Sequence, residues 1–202
     1  MKIKIIDKKE DKISFEVDGI NVPFANALRR TMMAEVPILA IDTVNFRSND
    51  SPLFDEVVSQ RLGLIPMEFP SDTFKKKSEC SCEGEGCINC EVVFVLEKAG
   101  PCMVYSKDLK STNPEVKPMF DEIPITKLAE GQKISLEATA RMGIGKENIK
   151  WKASNAHYTY DEKDCKKFIF TVETISGLKP KEIVSTASKI LEEKASELTK
   201  LL

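Results

Sequence analysis

The stretch Val22-Pro23-Phe24-Ala25-Asn26-Ala27-Leu28-Arg29-Arg30-Thr31-Met32-Met33-Ala34-Glu35-Val36-Pro37 decides how the rest of the chain is read. Val22, Ala25, Leu28, Met32 and Val36 recur at intervals of three and four, which lays one apolar stripe along a helix. Asn21 suits the cap, and Pro23 is tolerated in the first turn because the amide it lacks would be unpaired there anyway. Pro37 disfavours helical geometry at the residue before it, so the helix is expected to stop near Glu35. Asn26, Arg29 and Arg30 lie on or beside the other face. Two arginines next to an amide suit charge-assisted contacts at a protein boundary, set against the plainer reading of a solvated pair.

Upstream, Ile3 and Ile5 alternate with lysines, and Ile13, Phe15 and Val17 alternate with polar residues. With the charged turn between them, these predict a hairpin. Downstream, Ile38, Ala40, Val44 and Phe46 fall on one side of a further strand. From about Ser48 to Asp164 the texture changes to prolines, cysteines and short extended runs, including Glu91 to Leu96 and Lys133 to Arg141, with a short helix at Leu53 to Arg61. Phe168, Phe170 and Val172 then alternate as a strand, Ser176-Gly177 breaks it, and Pro180 starts the longest helix. Along that helix Val184, Ala187, Leu191, Leu198 and Leu202 form a stripe widened by Ile183, Ile190 and Leu201.

Both helical stripes are most simply buried by bringing the chain ends together on one sheet, with the middle as an insertion. The expectation is an α+β protein in which residues 1–48 and 165–202 form a discontinuous domain and residues 49–164 a mostly β insert. The last helix is wide and apolar for a cover over a small sheet. Part of its face is expected to meet another protein, although packing on its own sheet alone would also bury it.

A 42% hydrophobic, 31% charged chain with net charge −2 can build a sizeable core and does not advertise a coat for nucleic acid. No apolar run approaches the roughly 20 residues that cross a bilayer, and the N-terminus has no secretory pattern. Four of six cysteines crowd together without an export signal, which favours metal ligation over a disulfide framework and points to the cytoplasm.

Cys80, Cys82, Cys87 and Cys90 have the spacing C-x-C-x4-C-x2-C. Four thiolates can surround one Zn2+ and leave no open position, the arrangement of a structural site. Gly84 and Gly86 let the loop take positive φ values. Reduced thiols or a disulfide are the competing states of the same residues. Glu79, Glu83, Glu85 and Glu91 crowd an already anionic loop and weaken metal binding somewhat.

Enzymatic readings find little support. His157 is the single histidine, in a context without catalytic signature, and no Gly-rich phosphate loop opens a helix. A thiol oxidoreductase using Cys87 and Cys90 would place that pair at a helix start after a strand, whereas here it follows a glycine-rich loop. A zinc-loop nucleic-acid binder would require salt-sensitive DNA binding, against the near-neutral charge.

Three segments carry a resemblance. Residues Val22 to Pro37 resemble the signature helix shared by archaeal RNA polymerase D subunits, the third-largest subunit of eukaryotic RNA polymerase II and the bacterial alpha N-terminal domain. Asp55-Glu56-Val57-Val58-Ser59-Gln60-Arg61-Leu62-Gly63-Leu64-Ile65-Pro66-Met67 looks like the family's short helix and turn at the start of its inserted domain. Gly145-Lys146-Glu147-Asn148-Ile149-Lys150-Trp151 resembles a loop near that domain's end. The resemblance implies a dimerisation domain, an antiparallel sheet with two helices, that pairs with a small L subunit. It also implies docking of the N and P subunits and the second-largest subunit, with catalysis left to the two largest subunits and no direct grip on DNA. Asn26, Arg29, Arg30, Val184, Ala187, Leu191 and Leu198 would be the interface residues. The eukaryotic counterpart carries a zinc loop in the matching place. Some archaeal relatives hold an iron–sulfur cluster, but here only Cys102 and Cys165 remain outside the loop, so no such cluster is expected.

Overall fold

A computed structural model describes residues 1–71, 73–161 and 164–202, without the side chains of residues 161, 164 and 165. In chain order the first elements are β1 (Lys2–Lys8), β2 (Lys12–Asp18), α1 (Val22–Ala34), β3 (Ile38–Asn49), α2 (Asp55–Gly63) and β4 (Met67–Glu68). They are followed by β5 (Glu91–Ala99), β6 (Cys102–Tyr105), β7 (Lys110–Ser111), β8 (Lys117–Pro118) and β9 (Pro124–Leu128). The chain ends with β10 (Lys133–Gly143), β11 (Ser154–Asp161), β12 (Asp164–Thr174) and α3 (Pro180–Leu201). Two compact units result: Met1–Ile38 with Ile144–Leu202, and Leu39–Gly143.

The first unit is built from both chain ends. Its antiparallel sheet has the order β1-β2-β12-β11, so the N-terminal hairpin is completed by the last two strands of the chain. Alternation puts Ile13, Phe15 and Val17 of β2 on the same buried face as Phe168, Phe170 and Val172 of β12. Phe15 and Phe170 are register partners, and their rings stack with centroids 5.3 Å apart. Helices α1 and α3 pack on this sheet and on each other. Ala25, Leu28 and Met32 of α1 join Ile183 and Ala187 of α3 in the core. Each fully buried large side chain, Met32 or Phe168 among them, contributes about 1.5–3 kcal/mol.

Local chemistry sets the helix limits. The Asn21 side chain accepts a hydrogen bond from the Phe24 amide at 3.0 Å, with Pro23 inside the first turn. At the other end the Glu35 and Val36 amides fold back onto the Thr31 carbonyl, ahead of Pro37.

The second unit centres on a sheet of order β3-β10-β5-β7, with the short pairs β4-β8 and β6-β9. Phe94 and Leu96 of β5 and Ile134, Leu136, Ala138 and Ala140 of β10 are buried. Helix α2 packs against β9 through Val58 and Leu62 on its buried side.

The unit boundaries differ from the expected 48/49 and 164/165. Strand β3 pairs with β10 and so belongs to the insert, while β11 pairs with β12 and belongs to the first unit. A strand sorts with its hydrogen-bond partner: that of β3 lies far along the chain, and that of β11 is the strand that directly follows it.

Candidate functional site

The four predicted cysteines converge. Their sulfurs all lie within 4.8 Å of one another. Cys80 to Cys87 is 3.5 Å, Cys82 to Cys90 is 3.6 Å and Cys87 to Cys90 is 3.7 Å. Four sulfurs gathered this closely, with no fifth position between them, suit a closed structural site. The residues present therefore fit a four-thiolate metal.

The loop wraps this point by means the sequence partly announces. Glu83, Gly84 and Gly86 take positive φ (51°, 90° and 96°), so the chain reverses tightly between the two cysteine pairs. The Cys87 amide donates to the Cys90 sulfur at 3.2 Å, and the Cys90 and Glu91 amides close a turn on the Cys87 carbonyl. Cys80 follows a short 3-10 turn (Lys77–Glu79), and Cys90 runs directly into β5. Lys77 pairs with Glu91 at 2.7 Å, clamping the two ends, and the Lys75 amide donates to the Asn89 carbonyl at 3.0 Å. Neither clamp was anticipated from the sequence, because a Lys–Glu pair fourteen residues apart carries no local signal.

Electrostatics set three of the thiols apart. The amides of Gly86 and then Gly84 hold the Cys82 thiol down at about 6. Burial, and behind it the neighbouring sulfurs, pushes Cys90 up to about 12. Cys87 is raised as well: the Asn89 amide pulls it down, but Cys80 and burial outweigh that pull. Backbone amides thus favour the Cys82 thiolate, while burial and the neighbouring sulfurs favour the protonated form of Cys90. Cys87 and Cys90 precede a strand and not a helix, so no helix N-terminus activates them.

The expected interface residues separate into groups. On α1, Asn26 and Arg29 are half-buried and bonded to each other at 2.9 Å, while Arg30 is exposed. Among the described residues neither arginine pairs with a carboxylate. On α3, Ala187 is fully buried in its own core, so it belongs to the sheet-facing side and not to an outward face. Val184 and Leu191 are half-buried. Leu198, Leu201 and Leu202 are exposed at 60%, 85% and 99%, since the last turns of α3 run past the surface that its first turns cover.

The signature helix and the 145–151 loop meet within the first unit. The Lys146 amide donates to the Ala34 carbonyl at 2.8 Å, satisfying an orphan carbonyl at the end of α1. Gly145 is needed there, because a Cβ would sit 2.8 Å from the Met33 carbonyl oxygen. Ser154 reinforces the junction by donating to the Met32 carbonyl at 2.9 Å. Of the remaining candidates, His157 is exposed on β11 opposite Thr171, and the Cys102 thiol donates weakly to the Ala99 carbonyl. The side chain of Cys165 lies outside the described residues.

These features define a class: an α+β protein assembled from both chain ends around a β-rich insert that carries a four-cysteine loop. The RNA polymerase Rpb3/RpoA insert domain family matches residues 39–160. Similar proteins include the DNA-directed RNA polymerase subunit Rpo3 of Pyrococcus horikoshii, 46% identical over 160 residues that cover 79% of this chain and 60% of the relative. The namesake from Pyrococcus furiosus is 37% identical across 100% of this chain and 98% of its own length, and that from Archaeoglobus fulgidus is 44% identical over 149 residues, covering 74% of this chain and 56% of the relative. The chain belongs to the Rpb3/RpoA family of RNA polymerase subunits. Several of these relatives are matched over only about three fifths of their length.

Proposed function

We propose that the chain is a non-catalytic assembly platform of a DNA-dependent RNA polymerase, working in transcription in the cytoplasm. Its first unit pairs with a small L-type subunit. The pair recruits N- and P-type subunits and docks on the second-largest subunit, and catalysis resides in the two largest. The observation that carries this reading is the overhang of α3, where Leu198, Leu201 and Leu202 stand in solvent. Exposed leucines in line on one helix are an unfinished core, and a second helix of similar character would complete it. Arg29 and Arg30, without carboxylate partners among the described residues, supply charged contacts at a second boundary. In the cysteine loop we assign one structural Zn2+ held by Cys80, Cys82, Cys87 and Cys90, and no iron–sulfur cluster.

The test is co-expression with an archaeal L subunit, with mass in solution measured for the chain alone and together. A one-to-one complex that is lost when Leu198 and Leu201 are changed to Asp supports the reading. Both residues are exposed in the free chain, so the change leaves its folding intact. A chain that stays monomeric in the presence of L defeats the reading.

A further inference from the structure

The run Lys75-Lys76-Lys77 leads into the cysteine loop, and each of its members is spent on that loop. Phe74, buried just before the run, anchors it edge-on against Phe69. The Lys75 amide donates to the Asn89 carbonyl at 3.0 Å, Lys76 pairs with Glu79 at 3.7 Å, and Lys77 pairs with Glu91 at 2.7 Å. Two of the glutamates that crowd the anionic loop are thus matched with a cation. Glu83 and Glu85 have no such partner among the described residues.

The two pairs are not equivalent. Glu79 is exposed, so solvent screens its attraction to Lys76. Lys77 and Glu91 are partly covered, at 37% and 23% side-chain exposure. Glu91 follows Cys90 directly, and its carboxylate lies against Gly86, where a Cβ would collide with it. The Gly86 amide in turn serves the Cys82 sulfur. A carboxylate is therefore held beside the backbone that supports one sulfur and next in sequence to another. The Glu91 carboxylate and, behind it, the charges of Cys90 and Cys82 hold the Lys77 ammonium above its ordinary value, against the pull of burial. Four thiolates around a divalent ion keep an excess of negative charge. An unpaired carboxylate beside them adds repulsion that a partly covered loop screens poorly.

We propose that Lys77 is the counter-charge of the metal loop: it neutralises Glu91 and offsets the excess charge of the four thiolates, so that Glu91 braces Gly86 without repelling the bound ion. This role rests on the structural-metal reading of Cys80, Cys82, Cys87 and Cys90.

The test uses the full chain. Zn2+ affinity is measured by competition with a chromophoric chelator, and Co2+ loading by the visible spectrum of the thiolate complex. Lys77→Met is expected to bind Zn2+ ~10–100-fold more weakly, the usual cost of losing an outer-shell partner. Its Co2+ spectrum at saturating metal should still match the parent's, and its deficit should shrink in high salt. Lys77→Arg keeps the charge and should restore the parent affinity. Glu91→Gln removes the repelling carboxylate and should bind at least as tightly as the parent. Combining Glu91→Gln with Lys77→Met should regain most of the affinity that Lys77→Met loses alone. Lys76→Met, on the screened pair, should stay within ~5-fold of the parent. A purely mechanical strap predicts the opposite pattern: Glu91→Gln would lose as much as Lys77→Met, and the double variant would recover nothing. Either of those results, or a Lys77→Met affinity no weaker than that of Lys76→Met, overturns the role. Should Lys77→Met fold poorly in chelator, Glu91→Gln against the parent decides between the two accounts. A parent that takes up neither Zn2+ nor Co2+ overturns the metal reading and this role with it. A parent that binds both metals beside Lys77 variants that bind them equally well overturns this role alone.

Discussion

Replacing Cys90 by Ser tests the four-thiolate site at its most enclosed corner. Cys90 is fully buried, lies 3.6 Å from Cys82 and 3.7 Å from Cys87, and receives the Cys87 amide. Four-ligand structural zinc contributes about 10–16 kcal/mol in small peptides. Shared evenly, one thiolate is worth about 2.5–4 kcal/mol, a loss of about a hundredfold to a thousandfold in affinity. With free zinc buffered at about a hundred times the parent Kd, binding stabilises the parent by about 2.7 kcal/mol and the variant by less than about 0.5 kcal/mol. A difference near 2 kcal/mol lowers Tm by about 4–8 °C for a chain of this size. The assay is zinc per chain by mass spectrometry, followed by thermal unfolding in zinc buffer and in chelator. The parent should hold one zinc and lose stability in chelator, and Cys90→Ser should resemble the chelated parent in both. Binding should also release protons and weaken as pH falls, because the Cys90 thiol held up near 12 must ionise. A parent that unfolds identically with zinc and with chelator would refute the assignment.

Other perturbations have readable outcomes. Gly145→Ala drives a Cβ to within 2.8 Å of the Met33 carbonyl, so chemical denaturation should reveal a loss of about 1–3 kcal/mol. Asp108→Asn should cost about 1–2 kcal/mol at neutral pH. Burial pushes the Asp108 carboxyl up, but the Lys98 ammonium at 2.6 Å and the Tyr105 amide at 2.8 Å outweigh it and hold its pKa down. A depressed folded pKa gives stability that is present above the unfolded value near about 3.9 and is lost as pH falls through the folded one. The parent and Asp108→Asn stability curves should therefore converge in acid, and parallel curves there would contradict the ion-pair account. Leu198→Asp should leave the unfolding free energy of the isolated chain within about 0.5 kcal/mol of the parent, since that side chain is 60% exposed.

What could be read from the sequence was what local chemistry decides. Asn21, Pro23 and Pro37 bracket α1 within a residue of where it lies, because capping and proline sterics act over one turn. The cysteine spacing likewise located the loop in which the four sulfurs converge, because it acts within one short segment. What escaped was decided by pairing at a distance. The strand after α1 reads as part of the first unit, yet nothing local says that β3 will pair with β10, far along the chain, and so join the insert. The stripe along α3 was continuous, but a helix does not announce where its sheet ends. Ala187 therefore turned out to be core and Leu198 overhang.

The junction at the end of α1 explains why an insert can interrupt this unit without dissolving it. The chain leaves the first unit after Ile38 and returns at Ile144. Closing a loop of that length costs about 4 kcal/mol in chain entropy if nothing else holds the ends. Here Lys146 is bonded to Ala34, and Ser154 to Met32, with Gly145 allowing the two backbones to touch. The ends of the insert are thus fixed side by side on one helix terminus. Closure is carried by the first unit's own hydrogen bonds, whatever folds between them. Within the insert, the clamp of Lys77 on Glu91 and the thiolate cluster hold the entrance to β5, a strand flanked by β10 on one side and β7 on the other. In the first unit, then, short-range contacts at one helix terminus hold the least local connection closed, while in the insert they hold a loop and leave the long-range pairing of β3 with β10 to the sheet.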